Sequence, residues 1–184
     1  MIGHSAGSKI VELAAGRHPA IADVLIATAY THEPFVNNFW LTREWVQGDN
    51  ERALLHDYEY FEINPTIRKN DMYNTANADS DVMALDTKLA NLTPSGEIFS
   101  INPRPSRFVI GRIQVPVLLV LADDTLFPAR FGPNEMSLFA TASDKTLLVA
   151  PNDEHVFMLQ RNAAVTNSAI ADWLDAHNAA LPTC

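Results

Sequence analysis

The sequence predicts an α/β protein: strands of a parallel sheet with helices flanking them. Three observations predict it. Near the start, a helix-forming stretch is followed by an apolar run of strand length, residues 22–30, which is the strand–helix–strand order of a crossover unit. Two further apolar runs, residues 115–122 and 146–150, have the length and β-branched content of strands covered on both faces. A chemically reactive side chain follows a strand three times: Ser5, Asp124 and, at the end of a short loop, His155.

The chain opens on Met1-Ile2-Gly3-His4-Ser5-Ala6-Gly7, in which Gly3 to Gly7 fits G-x-S-x-G. A serine on a tight strand-to-helix turn needs side-chain-free neighbours so that strand and helix can approach. Residues 8–15 then read as a helix with Ile10, Leu13 and Ala14 on one face, ending at Gly16-Arg17-His18-Pro19. Residues 1–30 and 113–184 are assigned to the sheet-bearing core, and residues 31–112 to an aromatic-rich, mostly helical insertion. Within it, Phe35, Phe39, Trp40 and Trp45 fall in one expected helix. Asp49 or Asn50 could cap a second, carrying Leu54, Tyr58 and Phe61; Asp79 or Ser80 could cap a third, with Val82, Leu85 and Leu89 on one face. Residues 93–106, with three prolines, read as irregular loop. After the strand at 115–122 a helix is expected from Pro133 through Phe139. After the strand at 146–150 comes a polar loop to His155, then a last helix from about Leu159 with Ala163, Thr166, Ile170, Trp173 and Leu174 buried.

Composition narrows the function. The chain has 184 residues, of which 47% are hydrophobic and 19% charged, enough for one domain with a real core. A formal net charge of -9 argues against nucleic acid or an anionic membrane as partner. No apolar run approaches the roughly 18 residues of a membrane span. The single cysteine, Cys184, excludes an intramolecular disulfide. Neither a glycine-rich phosphate cradle nor a His/Cys cluster is visible, so no cofactor and no metal is expected.

In an open parallel sheet the loops at the carboxyl ends of the strands converge on one edge. Ser5, Asp124 and His155 can therefore meet although far apart in sequence. Acyl transfer needs that set: a hydroxyl nucleophile, an imidazole to carry its proton and a carboxylate to orient the imidazole. Asp123 is the alternative to Asp124. His4, His18, His32, His56 and His177 are less well placed than His155, and Asp153 and Glu154 read as a solvated turn.

The order Ser, Asp, His with G-H-S-A-G heading a helix, the strand ending in Asp124-x-x-x-Pro128, and the loop histidine together resemble the α/β-hydrolase fold. The resemblance spans the whole chain but only about the carboxy-terminal two-thirds of the family's fold. It implies a serine hydrolase acting on a small carboxylic ester or related acyl compound with an apolar group. Ser5 is then the nucleophile, His155 the general base and acid, Asp124 the orienting carboxylate and the backbone N–H of Ala6 an oxyanion donor. The insertion becomes a lid, with His4, Phe35, Phe39, Trp40 and Phe127 as candidate substrate contacts. The other reading is a truncated or non-catalytic binding module of the same fold. The family's strands before the elbow, and the loop carrying a second oxyanion donor, have no counterpart here. The chain is thus read as starting in mid-fold, which leaves both a cytoplasmic and a secreted location open. Residues 24–29 are then expected to form an unpaired sheet edge open to self-association.

Overall fold

The computed structural model describes residues 1–33, 60, 61, 63, 65–94, 104–123 and 126–178. Four strands form one parallel sheet in the order in which the chain meets them: β1 (Ile2–His4), β2 (Leu25–Thr28), β5 (Val117–Ala122) and β6 (Lys145–Ala150). Between β1 and β2 runs α1 (Ala6–Arg17), between β5 and β6 α5 (Gly132–Leu138), and after β6 comes α6 (Ala163–Asn178). The segment between β2 and β5 carries α2 (Pro65–Met72), α3 (Ser80–Leu89), the short α4 (Arg104–Arg107), and a two-stranded antiparallel ribbon of β3 (Tyr60–Phe61) and β4 (Thr93–Pro94).

The strands alternate between two cores. Leu25 and Val117 face a cluster with Ala15, Ile110, Ile113 and Phe139, beside which Ala27, Leu119 and Leu121 meet Met136 and Leu147; α1 and α5 cover this side. Ile26, Leu118, Val120 and Ala122 face the other way, against Phe157 and Trp173, with Ile170 and Leu174 of α6. Every residue of β2 and β5 is buried, which is why these runs are apolar without alternation. Trp173 also donates its indole N–H to Thr146 Oγ1 at 2.9 Å, fastening α6 to β6.

Several expectations are corrected. Residues 24–29 are not an edge: β2 lies between β1 and β5, and the rim of the sheet is β1, where Ile2 is 62% exposed. The buried face of α1 is Ser8, Lys9, Glu12, Ala15 and Gly16, while Ile10 is exposed. Gly16 does not end this helix. It lies inside it, where a Cβ would come within 2.5 Å of the Val109 carbonyl oxygen. The close backbone approach explains the glycine at 16, while Ser8 and Glu12 on the same face are buried polar groups turned toward β2 and His32. Phe61 belongs to β3 and not to a helix, and Thr93 and Pro94 pair with it instead of forming loop. Asp79 does cap α3, accepting from the Asp81 N–H at 2.8 Å, yet the Val82, Leu85 and Leu89 stripe is exposed. The last helix begins at Ala163, and Leu159 sits in a preceding single turn. The expected helices through Phe35 to Trp45 and through Leu54 to Tyr58 lie outside the described residues, as does Cys184.

His32, expected beside the insertion as an ordinary surface histidine, is buried. Its backbone N–H and Nδ1 both reach the Glu135 carboxylate at 2.5 Å, and Nε2 lies 2.7 Å from Ser106 Oγ. His32 follows β2 and Ser106 precedes β5, so the two ends of the insertion are tied to each other and to α5. Glu12 Oε2 of α1 lies 3.6 Å from His32 Nε2, and neither Glu12 oxygen has a hydrogen-bond partner among the described residues. Burial, reinforced by the charge of Glu135 and opposed by Lys9, pushes the Glu12 carboxyl well above the usual range. A raised folded-state carboxyl pKa means that the unfolded chain releases its proton first as pH rises. The ionisation of Glu12 therefore adds no cost below the unfolded value of 4.5 and destabilises above it. Glu12→Gln is expected to raise stability at pH 7 by about 1–3 kcal/mol, with the gain vanishing below pH 4.5. Urea unfolding at pH 4 and pH 7 checks this, and an equal effect at both values refutes it.

Candidate active site

The site grows out of the turn between β1 and α1. Ser5 sits there with φ 53°, ψ -125°, a left-handed backbone that a residue with a Cβ rarely adopts. The turn is held from three sides. Ser5 N–H donates to the Thr28 carbonyl at 2.8 Å. Ser8 Oγ, fully buried, accepts from Thr28 N–H and lies 2.8 Å from the carbonyl oxygens of both Gly3 and Thr28, to either of which its one proton can go. Thr28 Oγ1 lies 3.1 Å from the Gly3 carbonyl oxygen and 2.8 Å from His4 Nδ1. The end of β2 thus fixes both the strand before the serine and the helix after it.

The two glycines of the motif are not equivalent. A Cβ at Gly3 would stand 2.6 Å from the Gly7 carbonyl carbon and 2.7 Å from Ser8 Cα, inside any allowed contact. At Gly7 nothing among the described residues lies within 4 Å, which corrects the expectation that both flanks must be bare. Gly3→Ala is expected to destabilise by about 3 kcal/mol or more, because backbone must move to admit the methyl. Gly7→Ala, at an open helical position, should be neutral or stabilising by about 0.5–1 kcal/mol. Thermal unfolding of the two variants side by side tests the asymmetry, and equal losses overturn it.

His155 lies five residues beyond β6 and is buried. Its Nε2 is 2.8 Å from Ser5 Oγ, across a sequence separation of 150 residues. The Phe127 ring stacks on the imidazole at 5.5 Å between centroids, and His4 tilts against it at 5.2 Å. Phe127 also touches Tyr30, and His4 meets Phe157 edge-on. Ala6 is the first residue of α1, where a backbone N–H has no acceptor within its own helix. Asp123 is exposed at the end of β5, while Asp124 lies outside the described residues, as do Phe35, Phe39 and Trp40. Ala122 and Ala150 are register partners, so the chain leaves β5 and β6 side by side on the way to residue 124 and to His155.

Burial, with the neighbouring His155 charge adding to it, pulls His4 from 6.5 down to about 3. A His4 ring kept neutral in this way adds no positive charge 5.2 Å from the His155 imidazole. Since the folded value is depressed, the unfolded chain binds the proton first, and stability falls as pH drops from 6.5 toward 3. His4→Phe is expected to lose less stability than the native chain between pH 7 and pH 4. Chemical unfolding at both values reads the difference, and parallel losses would remove His4 as a cause.

Asp153, expected in a solvated turn, is buried, and its Oδ1 accepts from Asn77 Nδ2 at 2.9 Å. Burial pushes its carboxyl up, with Asn77 and Asn162 pulling the other way. Sequence reasoning missed Asn77, and no local pattern marks it. Among the described residues one group of His and carboxylate side chains brings potential metal-ligand atoms within 4.8 Å of one another: Glu12, His32 and Glu135. Both imidazole nitrogens there already make short hydrogen bonds. No described helix is long and apolar enough to cross a membrane.

No family model and no curated protein matches this sequence. Solved structures do. The monoacylglycerol lipase of Paleococcus ferrophilus superposes with a TM-score of 0.67 at 16% identity, over 96% of this chain and 67% of its own. BpoC of Mycobacterium tuberculosis, described as a non-haem bromoperoxidase, gives 0.71 at 16%, over 96% and 66%. A thermophilic esterase from Thermogutta terrifontis gives 0.66 at 14%, over 96% and 64%. The chain thus spans about two thirds of the length of each of these three structures.

Proposed function

From the premise that this chain carries the α/β-hydrolase fold, we propose that it is a serine hydrolase cleaving a carboxylic ester, or a related acyl bond, with an apolar group. One observation carries the reading: the Ser5 hydroxyl, on a left-handed strand-to-helix turn, lies 2.8 Å from His155 Nε2. In this mechanism His155 takes the Ser5 proton as Oγ attacks the acyl carbon, then returns it to the leaving alcohol. The N–H of Ala6 donates to the oxyanion that forms. Asp124 is assigned the orienting carboxylate, from its place behind β5. Phe127 and the neutral His4 wall the imidazole, and Phe35, Phe39 and Trp40 are assigned to a lid built from residues 31–112.

Such a site takes a small-molecule ester and needs no cofactor. Self-association belongs to the same proposal, at the β1 rim where Met1, Ile2 and Ile10 are exposed.

A fluorophosphonate probe should label the native chain at Ser5 and leave Ser5→Ala unlabelled. His155→Gln should slow labelling by about 10²–10⁴-fold, the usual worth of a positioned base. Folded native protein that takes no label sinks the proposal in favour of a non-catalytic module, for which Ser5→Ala would change no binding.

A further inference from the structure

The loop that presents His155 is not self-supporting. It contains Asn152 at φ 55°, a left-handed residue, and the buried Asp153. Its hydrogen bonds come largely from a turn nearly eighty residues earlier, between α2 and α3. Met72 accepts from the Val156 N–H at 3.0 Å, and Asn74 Nδ2 donates to the Asn152 carbonyl at 2.8 Å. Asn77 is the hub. Its Nδ2 lies 3.2 Å from the Asn152 carbonyl oxygen, 2.9 Å from Asp153 Oδ1 and 2.5 Å from Asn162 Oδ1, while its own carbonyl accepts from Arg161 N–H at 2.9 Å. Asn162 in turn donates to the Pro151 carbonyl at 2.5 Å. One amide thus gathers the entry to the loop, its buried acid and the start of the segment that follows it.

We propose that Asn77 is a positioning residue for His155, through which the insertion holds the imidazole at its distance from Ser5. Asp153, buried two residues before His155, takes the Asn77 amide as a hydrogen-bond donor. A network in which Asn77 reaches both Asn152 and Asp153 fixes the loop's backbone and the orientation of its buried carboxyl together. Displacing a reacting group by about 1 Å costs on the order of 10²-fold in rate.

The inference rests on the hydrolase reading for its kinetic consequence, but not for its geometry, so two readouts are paired. In the full chain, the His155 imidazole nitrogen resonances, assigned with His155→Gln, should shift or broaden in Asn77→Ala. They should stay in place in Asp86→Asn, which removes the charge that Asp86 presents to Arg68 and Tyr73 but touches neither Asn77 nor the histidine loop. On an aryl ester, Asn77→Ala should lower kcat about 10–100-fold with KM within twofold, and Asn77→Ser, which keeps a donor, should recover part of the loss. If Asn77→Ala does not fold, Asn74→Ala, which removes the 2.8 Å bond to the Asn152 carbonyl, takes its place. An unchanged imidazole signal overturns the inference whether or not the native chain turns over ester. Absent turnover with a shifted signal overturns the hydrolase reading and leaves the positioning role standing. Equal effects of Asn77→Ala and Asp86→Asn reduce Asn77 to general support of the fold and also overturn it.

Discussion

The left-handed backbone at Ser5 is the constraint on which the rest of the structure turns. It costs roughly 1–2 kcal/mol relative to an ordinary conformation, so it persists only where its surroundings over-determine it. Here the surroundings are specific. Gly3 lets the strand touch the backbone of α1, and the Ser8 hydroxyl, buried where an aliphatic side chain could not bridge three backbone groups, binds β1, α1 and β2 together. The serine hydroxyl is thereby held above the carboxyl edge of the sheet, where His155 meets it.

That edge concentrates the strained backbone of the molecule. Among the described non-glycine residues, Ser5, Ala29 and Asn152 have positive φ, and they follow β1, β2 and β6 respectively. The sheet below can hold them because β2 and β5 are buried on both faces and cannot shift without opening two cores at once. Strain is stored on the loops and restrained by the strands. This is the usual division of labour between a rigid scaffold and the groups that act.

The segment between β2 and β5 is tied to this scaffold by polar contacts as well as by the apolar packing of Ile110. His32 and Ser106 close its base against Glu135, and the turn from Met72 to Asn77 closes over the histidine loop. Hydrogen bonds fix orientation more sharply than apolar contact does, since they fail with angle as well as distance. A buried polar joint at the base and a second beside the imidazole make the placement of the insertion and the geometry of the site parts of one arrangement.

By itself the sequence determined the parallel α/β class, β2, β5 and β6 to within a few residues, and the tight turn at Ser5 between strand and helix. These are local signals: a doubly buried strand must be apolar throughout, and a close backbone approach must be glycine, as at Gly3. Only the tertiary structure decided which face of α1 is buried, that the apolar stripe of α3 is exposed, that Gly16 serves packing while Gly7 meets nothing among the described residues, and that His32, Glu12 and Asp153 lie inside. Helical periodicity reports that a face exists but not what stands opposite it, and where that is close backbone, as at Gly16, the buried residue is glycine. Asn77 was illegible for the same reason. An asparagine in a turn carries no mark of its partners when they lie 75 to 85 residues away, and their positions exist only once the sheet has brought the two segments together.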